Sequence, residues 1–150
     1  MIWRITATYE AREDLRRDLY QDILLAIWRA LPNFRGEAGL KTYIARIAHN
    51  RSVSHVAREA SRPGMSELDA ELPGSDPSPF DEAERNDRRR RLQHAVRALP
   101  LPLRQPVSLT LEGFGPAEIA AITGLTANTV SIRLTRAKAA LRQVLGGDDD

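Results

Sequence analysis

From Asp14 to Leu31 apolar residues return every three or four positions, at Leu15, Leu19, Ile23, Ala26, Ile27 and Ala30. That spacing lines one face of an α-helix and predicts a helix over 14–31. Pro32 disfavours continuation, and Asn33-Phe34-Arg35-Gly36 reads as a loop. A second helix is predicted from about Gly39 to Ala60, with Leu40, Ile44, Ile47, Ala48 and Val53 inward. The pattern then stops. Residues 63–84 contain Pro63, Gly64, Pro73, Gly74, Pro77 and Pro79 and few large apolar side chains. Helical spacing resumes over about 81–98, with Leu92, Val96 and Leu99 inward, and Pro100, Pro102 and Pro106 frame a turn into a short helix, Arg104–Leu111. Gly113 and Gly115 break that helix, Pro116–Thr123 forms another, and Val130, Leu134, Ala137 and Leu141 mark the buried stripe of a last one. The fold class is therefore all-α. Two small helical domains, 1–62 and 85–145, are expected to be joined by a flexible linker over 63–84, with a tail at 146–150.

Residues at the helix ends sharpen one part of this pattern. Pro116 stands in the first turn of its helix, where a missing N–H costs nothing. Gly124 is free to take positive φ. Leu125 can plug the space between two helices, and Thr126 suits the N-cap of the second. Together these make Gly115–Leu145 a helix-turn-helix. Beyond Thr126, the outer face of the second helix carries Asn128, Ser131, Ile132, Arg133, Thr135, Arg136 and Lys138. From 126 to 145 there are four bases and no acid. The major groove of DNA admits one helix, and the phosphates on its rims repel carboxylates. Short polar residues near the helix start can reach base edges, while the arginines further along can hold phosphate or guanine.

Charge is distributed unevenly. The chain has 150 residues and a formal net charge of only +2. Between 65 and 87, however, eight carboxylates face one arginine, which makes the linker acidic. Between Arg29 and Arg62 seven bases face two acids, with Phe34 and Tyr43 among them. Bases interleaved with aromatics can track a nucleic-acid strand and pocket an unpaired base. Phe34 and Tyr43 are equally suited to a core. On the preceding helix, Asp18, Gln21, Asp22 and Leu25 share a face that suits either a partner or plain solvent.

Composition closes several classes. There is no cysteine, which excludes a disulfide framework, thiolate metal sites and thiol catalysis, and agrees with a reducing cytoplasm. No apolar run approaches the roughly 20 residues of a membrane span, so a cytoplasmic protein without membrane insertion is expected. No nucleophile–base–acid set, phosphate loop or metal cluster stands out, so neither enzyme activity nor a cofactor or metal is expected. His49 and His55 read as helix-surface residues.

The residues from Asp18 through Ala38 and from Thr42 to Arg51 resemble region 2 of bacterial sigma factors of the extracytoplasmic-function (ECF) group. Those from Ala98-Leu99-Pro100 through Glu112-Gly113, with Glu118-Ile119-Ala120 and Thr129 to Ala137, resemble region 4. The two matches stand in the family's order with the acidic linker between them. The resemblance implies a sigma factor that binds core RNA polymerase and promoter DNA, with an anti-sigma factor as a further partner. It implies that Asp18, Gln21 and Asp22, with Leu25 and Trp28, dock on the clamp of the β′ subunit, Trp28 supporting the helix. It implies that Phe34, Arg35 and Gly36, then Thr42, Tyr43, Arg46, Asn50 and Arg51, open and read the −10 element. A base is flipped into the loop there, against an unstacking cost of a few kcal/mol. It implies that the helix from Thr126, through Asn128, Thr129, Ser131, Ile132, Arg133, Thr135 and Arg136, reads the −35 element. Three departures stand out. Only Met1 to Arg17 precede the Asp18 motif, so region 2 is N-terminally short, with Ile2-Trp3-Arg4-Ile5 as the tail of a first helix. Tyr43 stands where the family usually has Trp, and Ile132 where a base-facing Lys or Arg is common. A stand-alone helix-turn-helix regulator with an N-terminal protein-interaction module is the alternative reading.

Overall fold

Helix ends in this chain are set by a few residues with restricted backbones. The computed structural model describes residues 1–62 and 80–146. Among them lie seven α-helices and no strand: α1 (Ile2–Ala7), α2 (Glu13–Ala30), α3 (Leu40–Ala60), α4 (Phe80–Arg97), α5 (Leu101–Leu111), α6 (Pro116–Thr123) and α7 (Ala127–Leu145). Glu13 and Asp14 occupy the first turn of α2, where carboxylates complement the exposed N–H groups of a helix start. At its other end Pro32 sits inside a single 3-10 turn, Leu31–Asn33. The loop then reverses at Gly36, φ 76°, and α3 opens after Gly39.

Of the predicted stripe of α2, Leu19, Ile23, Ala26 and Ile27 are buried, and Leu15 and Ala30 at its ends are half-buried. For α3 the stripe differs. Ala45, Ala48, His49, Ser52 and His55 are the buried positions, Ile44, Ile47 and Val53 are partly covered, and Leu40 is 48% exposed. The histidines expected on the surface are thus buried. The reason is non-local: α3 packs against α1 and α2 and also against α6, so more than one of its faces is covered. His55 reaches Glu10 (Nε2 to Oε1, 3.0 Å), and the other Glu10 oxygen accepts the Ala11 N–H at 3.0 Å. His49 has no such partner. Burial pushes its imidazole down to about 4, so it is neutral at pH 7.

The second half differs from expectation at the start of α5. α5 starts at Leu101, three residues before the predicted Arg104, and runs through Pro106. Pro102 lies in its first turn, where no N–H is needed, and Pro106 removes a single intrahelical bond. α4 begins at Phe80, within a residue of the helix expected from about 81. Linker residues 63–79 and tail residues 147–150 lie outside the described residues. Val96, Leu99, Val107, Leu109, Phe114, Ile119, Ile122, Val130, Leu134 and Ala137 form one core among α4–α7. Ala45 of α3 belongs to that same core, while Ile5, Tyr9, Leu19, Ile23, Ile27 and Ala48 form another among α1–α3.

Candidate nucleic-acid interface

The turn between α6 and α7 is built as its residues dictate. Gly124 takes φ 79° and its N–H bonds Ala120 O, closing α6 in the left-handed conformation that glycine adopts without strain. Leu125 packs against the α4–α7 core as a half-buried plug. Thr126 then caps α7: its Oγ1 accepts the Thr129 N–H at 3.1 Å and its hydroxyl donates to Thr129 Oγ1 at 2.8 Å. Thr126 and Thr129, both predicted to touch DNA, are therefore first engaged with each other. Val130, Leu134 and Ala137 are buried beneath the helix. Asn128, Ser131, Ile132, Thr135 and Arg136 are exposed on its outside, and Arg133 is half-buried beside them. Thr135 donates to Ser131 O at 3.0 Å, so its hydroxyl hydrogen is engaged within the helix. Lys138 extends this surface, and no carboxylate interrupts it.

The surfaces of α2 and α3 are less uniform. Asp18, Gln21, Leu25 and Trp28 are exposed on α2 and Asp22 is half-buried. Trp28 is 75% exposed, so it supports nothing inside the helix bundle; it is itself surface. Leu24 and Leu31, which sequence reasoning passed over, are 41% and 40% exposed one turn to either side of it. Asp22 Oδ1 lies 3.7 Å from Arg51 of α3, and Asp22 Oδ2 is buried without a hydrogen-bond partner in the protein. Two sets of residues predicted for different tasks thus meet at that pair.

Phe34 and Tyr43 are both half-buried, and their rings pack 5.0 Å apart. The Tyr43 hydroxyl donates to Ala30 O at 3.1 Å. These rings pin the loop against the end of α2, with Arg35 and Gly36 exposed beyond them. Along α3, Thr42 is half-buried and Arg46, Asn50 and Arg51 are exposed. Arg46 does not point freely into solvent: its Nη2 donates to Ala121 O of α6 at 2.9 Å. Lys41, absent from the predicted set, donates to Glu112 O at 3.0 Å and lies 4.9 Å above the Phe114 ring. Its basic neighbours were the signal that could have included it.

Comparison with known proteins gives this arrangement a family. Residues 1–62 match Sigma-70 region 2, and residues 89–141 match Sigma-70, region 4. The chain is 31% identical over 136 residues to the ECF RNA polymerase sigma-E factor of Escherichia coli (strain K12), spanning 83% of this chain and 70% of that protein. It is 30% identical over 139 residues to the RNA polymerase sigma-H factor of Pseudomonas aeruginosa, spanning 86% and 72%. The fold is similar to that of CnrH, solved in complex with the cytosolic domain of CnrY (TM-score 0.69, 23% identity, 98% of this chain and 81% of that one). It is also similar to the sigma factor RpoE of Bartonella quintana, solved with the anti-sigma factor NepR (TM-score 0.71, 19% identity, 97% and 89%). Both halves of the chain, in their order, thus match one family: the protein belongs to the extracytoplasmic-function group of the sigma-70 family of RNA polymerase sigma factors.

Proposed function

We propose that the chain is a promoter-specificity subunit, which binds core RNA polymerase and directs transcription initiation. The observation that carries this reading is the presence of both sigma-70 regions in order on one chain. Residues 1–62 act at the polymerase and the −10 element, and the helix-turn-helix within 85–145 acts at the −35 element. Asp18, Gln21, Asp22, Leu25 and Trp28 dock on the β′ clamp region. The exposure of Asp18, Gln21, Leu25 and Trp28 supports this assignment, as does the apolar rim that Leu24 and Leu31 add. Phe34, Arg35, Gly36, Thr42, Tyr43, Arg46, Asn50 and Arg51 serve the −10 element. Thr126, Asn128, Thr129, Ser131, Ile132, Arg133, Thr135 and Arg136 serve the −35 element, Thr126 and Thr129 chiefly by fixing the start of α7. An anti-sigma factor is a further partner in this reading. The site of action is the cytoplasm, in line with the absence, among the described residues, of any helix long and apolar enough to cross a membrane.

Transcription from genomic fragments with purified core enzyme tests the proposal. The expected result is a set of start sites absent with core alone and lost with Asp18→Ala/Asp22→Ala. Absence of any specific transcript refutes it.

A further inference from the structure

α2 presents more surface than the fold uses. Among the closer helix pairs it packs only against α1 and α3. Leu19, Ile23, Ala26 and Ile27 point into that packing. On the opposite side Leu24, Leu25, Trp28 and Leu31 are exposed. Leu24, Trp28 and Leu31 stand at i, i+4 and i+7, so they form one apolar stripe along the helix. Taking such a stripe out of water is favourable for any surface that matches it.

The charges beside the stripe match a second copy of it. Asp18 and Arg29 stand eleven positions apart, about three helical turns, so they share one edge of this side of α2, roughly 16 Å from each other. Both are exposed, and neither side chain has a hydrogen bond or ion pair among the described residues. Asp22 lies between them but already faces Arg51 of its own chain, at 3.7 Å. When two identical helices pair antiparallel, each edge meets the same edge of the other helix with its order reversed. A two-fold axis near Leu24 therefore sets Asp18 of each copy against Arg29 of the other, twice over. The same register lays Leu24 beside Leu25 and Trp28 beside Gln21 across the axis. A parallel pair would instead set Asp18 against Asp18 and Arg29 against Arg29, which is repulsive at both ends.

We propose that the free chain forms a weak antiparallel homodimer through α2, held by the Leu24–Trp28–Leu31 stripe and by two reciprocal Asp18–Arg29 pairs. The contact is isologous and closes on two copies, so it does not propagate into a filament. One helix face is small beside a standard interface of about 1,600 Å², so the dimer is reversible and concentration-dependent. It also covers the face assigned to the β′ clamp, so dimerisation and polymerase binding exclude each other. Above the dissociation constant the free chain then rises only as the square root of the total. A surplus is stored in pairs rather than presented to the polymerase. That consequence rests on the assignment of this face of α2 to the polymerase; the dimer itself does not.

Sedimentation velocity of the full chain over a range of concentrations tests the contact. The wild type is expected to pass from one copy to two as concentration rises. Arg29→Asp and Asp18→Arg each replace two attractions with two repulsions, and each variant alone is expected to dimerise about tenfold more weakly. Mixed in equal amounts, the two are expected to pair as tightly as the wild type. Each contact between an Arg29→Asp chain and an Asp18→Arg chain again joins opposite charges. Misfolding of either variant cannot produce that recovery.

A wild-type chain that stays monomeric at every concentration would overturn the inference and leave the stripe to the polymerase alone. Variants that pair no better together than apart would overturn it too, by removing the antiparallel register. Core enzyme titrated into the dimer is expected to take up one chain per core; a dimer that persists on the core refutes the exclusion. Chains that pair as expected yet never bind core enzyme would instead defeat the functional reading, with the dimer left standing.

Discussion

The two helical groups of this protein bury opposite kinds of surface. In α4–α7 the interior is aliphatic and aromatic, with Val96, Leu109, Phe114, Ile119, Ile122 and Val130 at its centre, and Ser108 is the buried polar residue among the described side chains. The exposed large apolar residues there, Leu111, Ile132 and Val144, stand singly along the chain. In α1–α3, Thr6, Thr8, His49, Ser52 and His55 are buried, yet Leu24, Leu25, Trp28 and Leu31 lie exposed together on one helix end. Scattered apolar residues on a surface are ordinary, whereas a contiguous set marks a surface made to be covered. The second group needs only to hold one helix rigid. The shape of the first makes sense once a partner is counted as part of it.

Five substitutions test that contrast, beginning with the largest effect. Ile23→Ala and Ile119→Ala each empty a fully buried site, one per group, and each is expected to cost about 2–5 kcal/mol. Because Ala45 of α3 packs in the α4–α7 core, both are expected to lower a single unfolding transition followed by circular dichroism in urea. Two separate transitions would show that the groups stand independently.

Both buried imidazoles belong to the first group, and His49 gives the next effect. The folded His49 titrates near about 4, below the ordinary value of about 6.5, so the unfolded chain takes up the proton first. Its contribution is therefore fully present above about pH 6.5 and is lost as pH falls toward about 4. Between pH 7 and pH 5 the loss is expected to be about 2 kcal/mol. Urea titrations of wild type and His49→Gln at both pH values check it: the variant should lose that part of the slope.

Thr126→Ala removes the cap of α7 and is expected to cost about 1 kcal/mol in a urea titration, with weaker duplex binding. Trp28→Ala has the smallest effect on folding, expected within about 0.5 kcal/mol, because the ring is mostly in water. Its affinity for core polymerase should nevertheless fall about tenfold or more in a direct binding titration. A loss of stability without a loss of binding would reverse the contrast between the groups.

What could be read from the sequence was what is decided locally. Pro116, Gly124 and Thr126 act on their own backbone within a few residues, so the helix-turn-helix was legible down to its cap. The α2 stripe was legible for the same reason. Features made by distant partners were not. His49 and His55 look like surface residues until α1 and α6 are brought against α3. Leu40 carries the spacing of an inward residue but lies at the helix start, with little to cover it. The Arg4–Glu112 pair joins residues 108 positions apart, and nothing near either of them announces the other. Before Arg104 the prolines suggested a turn, but Pro100 stands at the N-cap of α5 and Pro102 in its first turn, where no N–H is needed, so the helix starts earlier.

Both tryptophans of the chain, Trp3 and Trp28, fall in the first helical group, and α4–α7 have none. The near-ultraviolet emission of the protein is thus one-sided. Trp3 sits with the Arg16 guanidinium 3.7 Å over its ring and Tyr20 edge-on at 5.4 Å, a fixed environment. Trp28 emits from water. A protein that covers α2 will shift the colour of that light toward the blue, and a duplex settling on α7 will leave it unchanged. The molecule carries an optical label that tells which of its two halves is occupied.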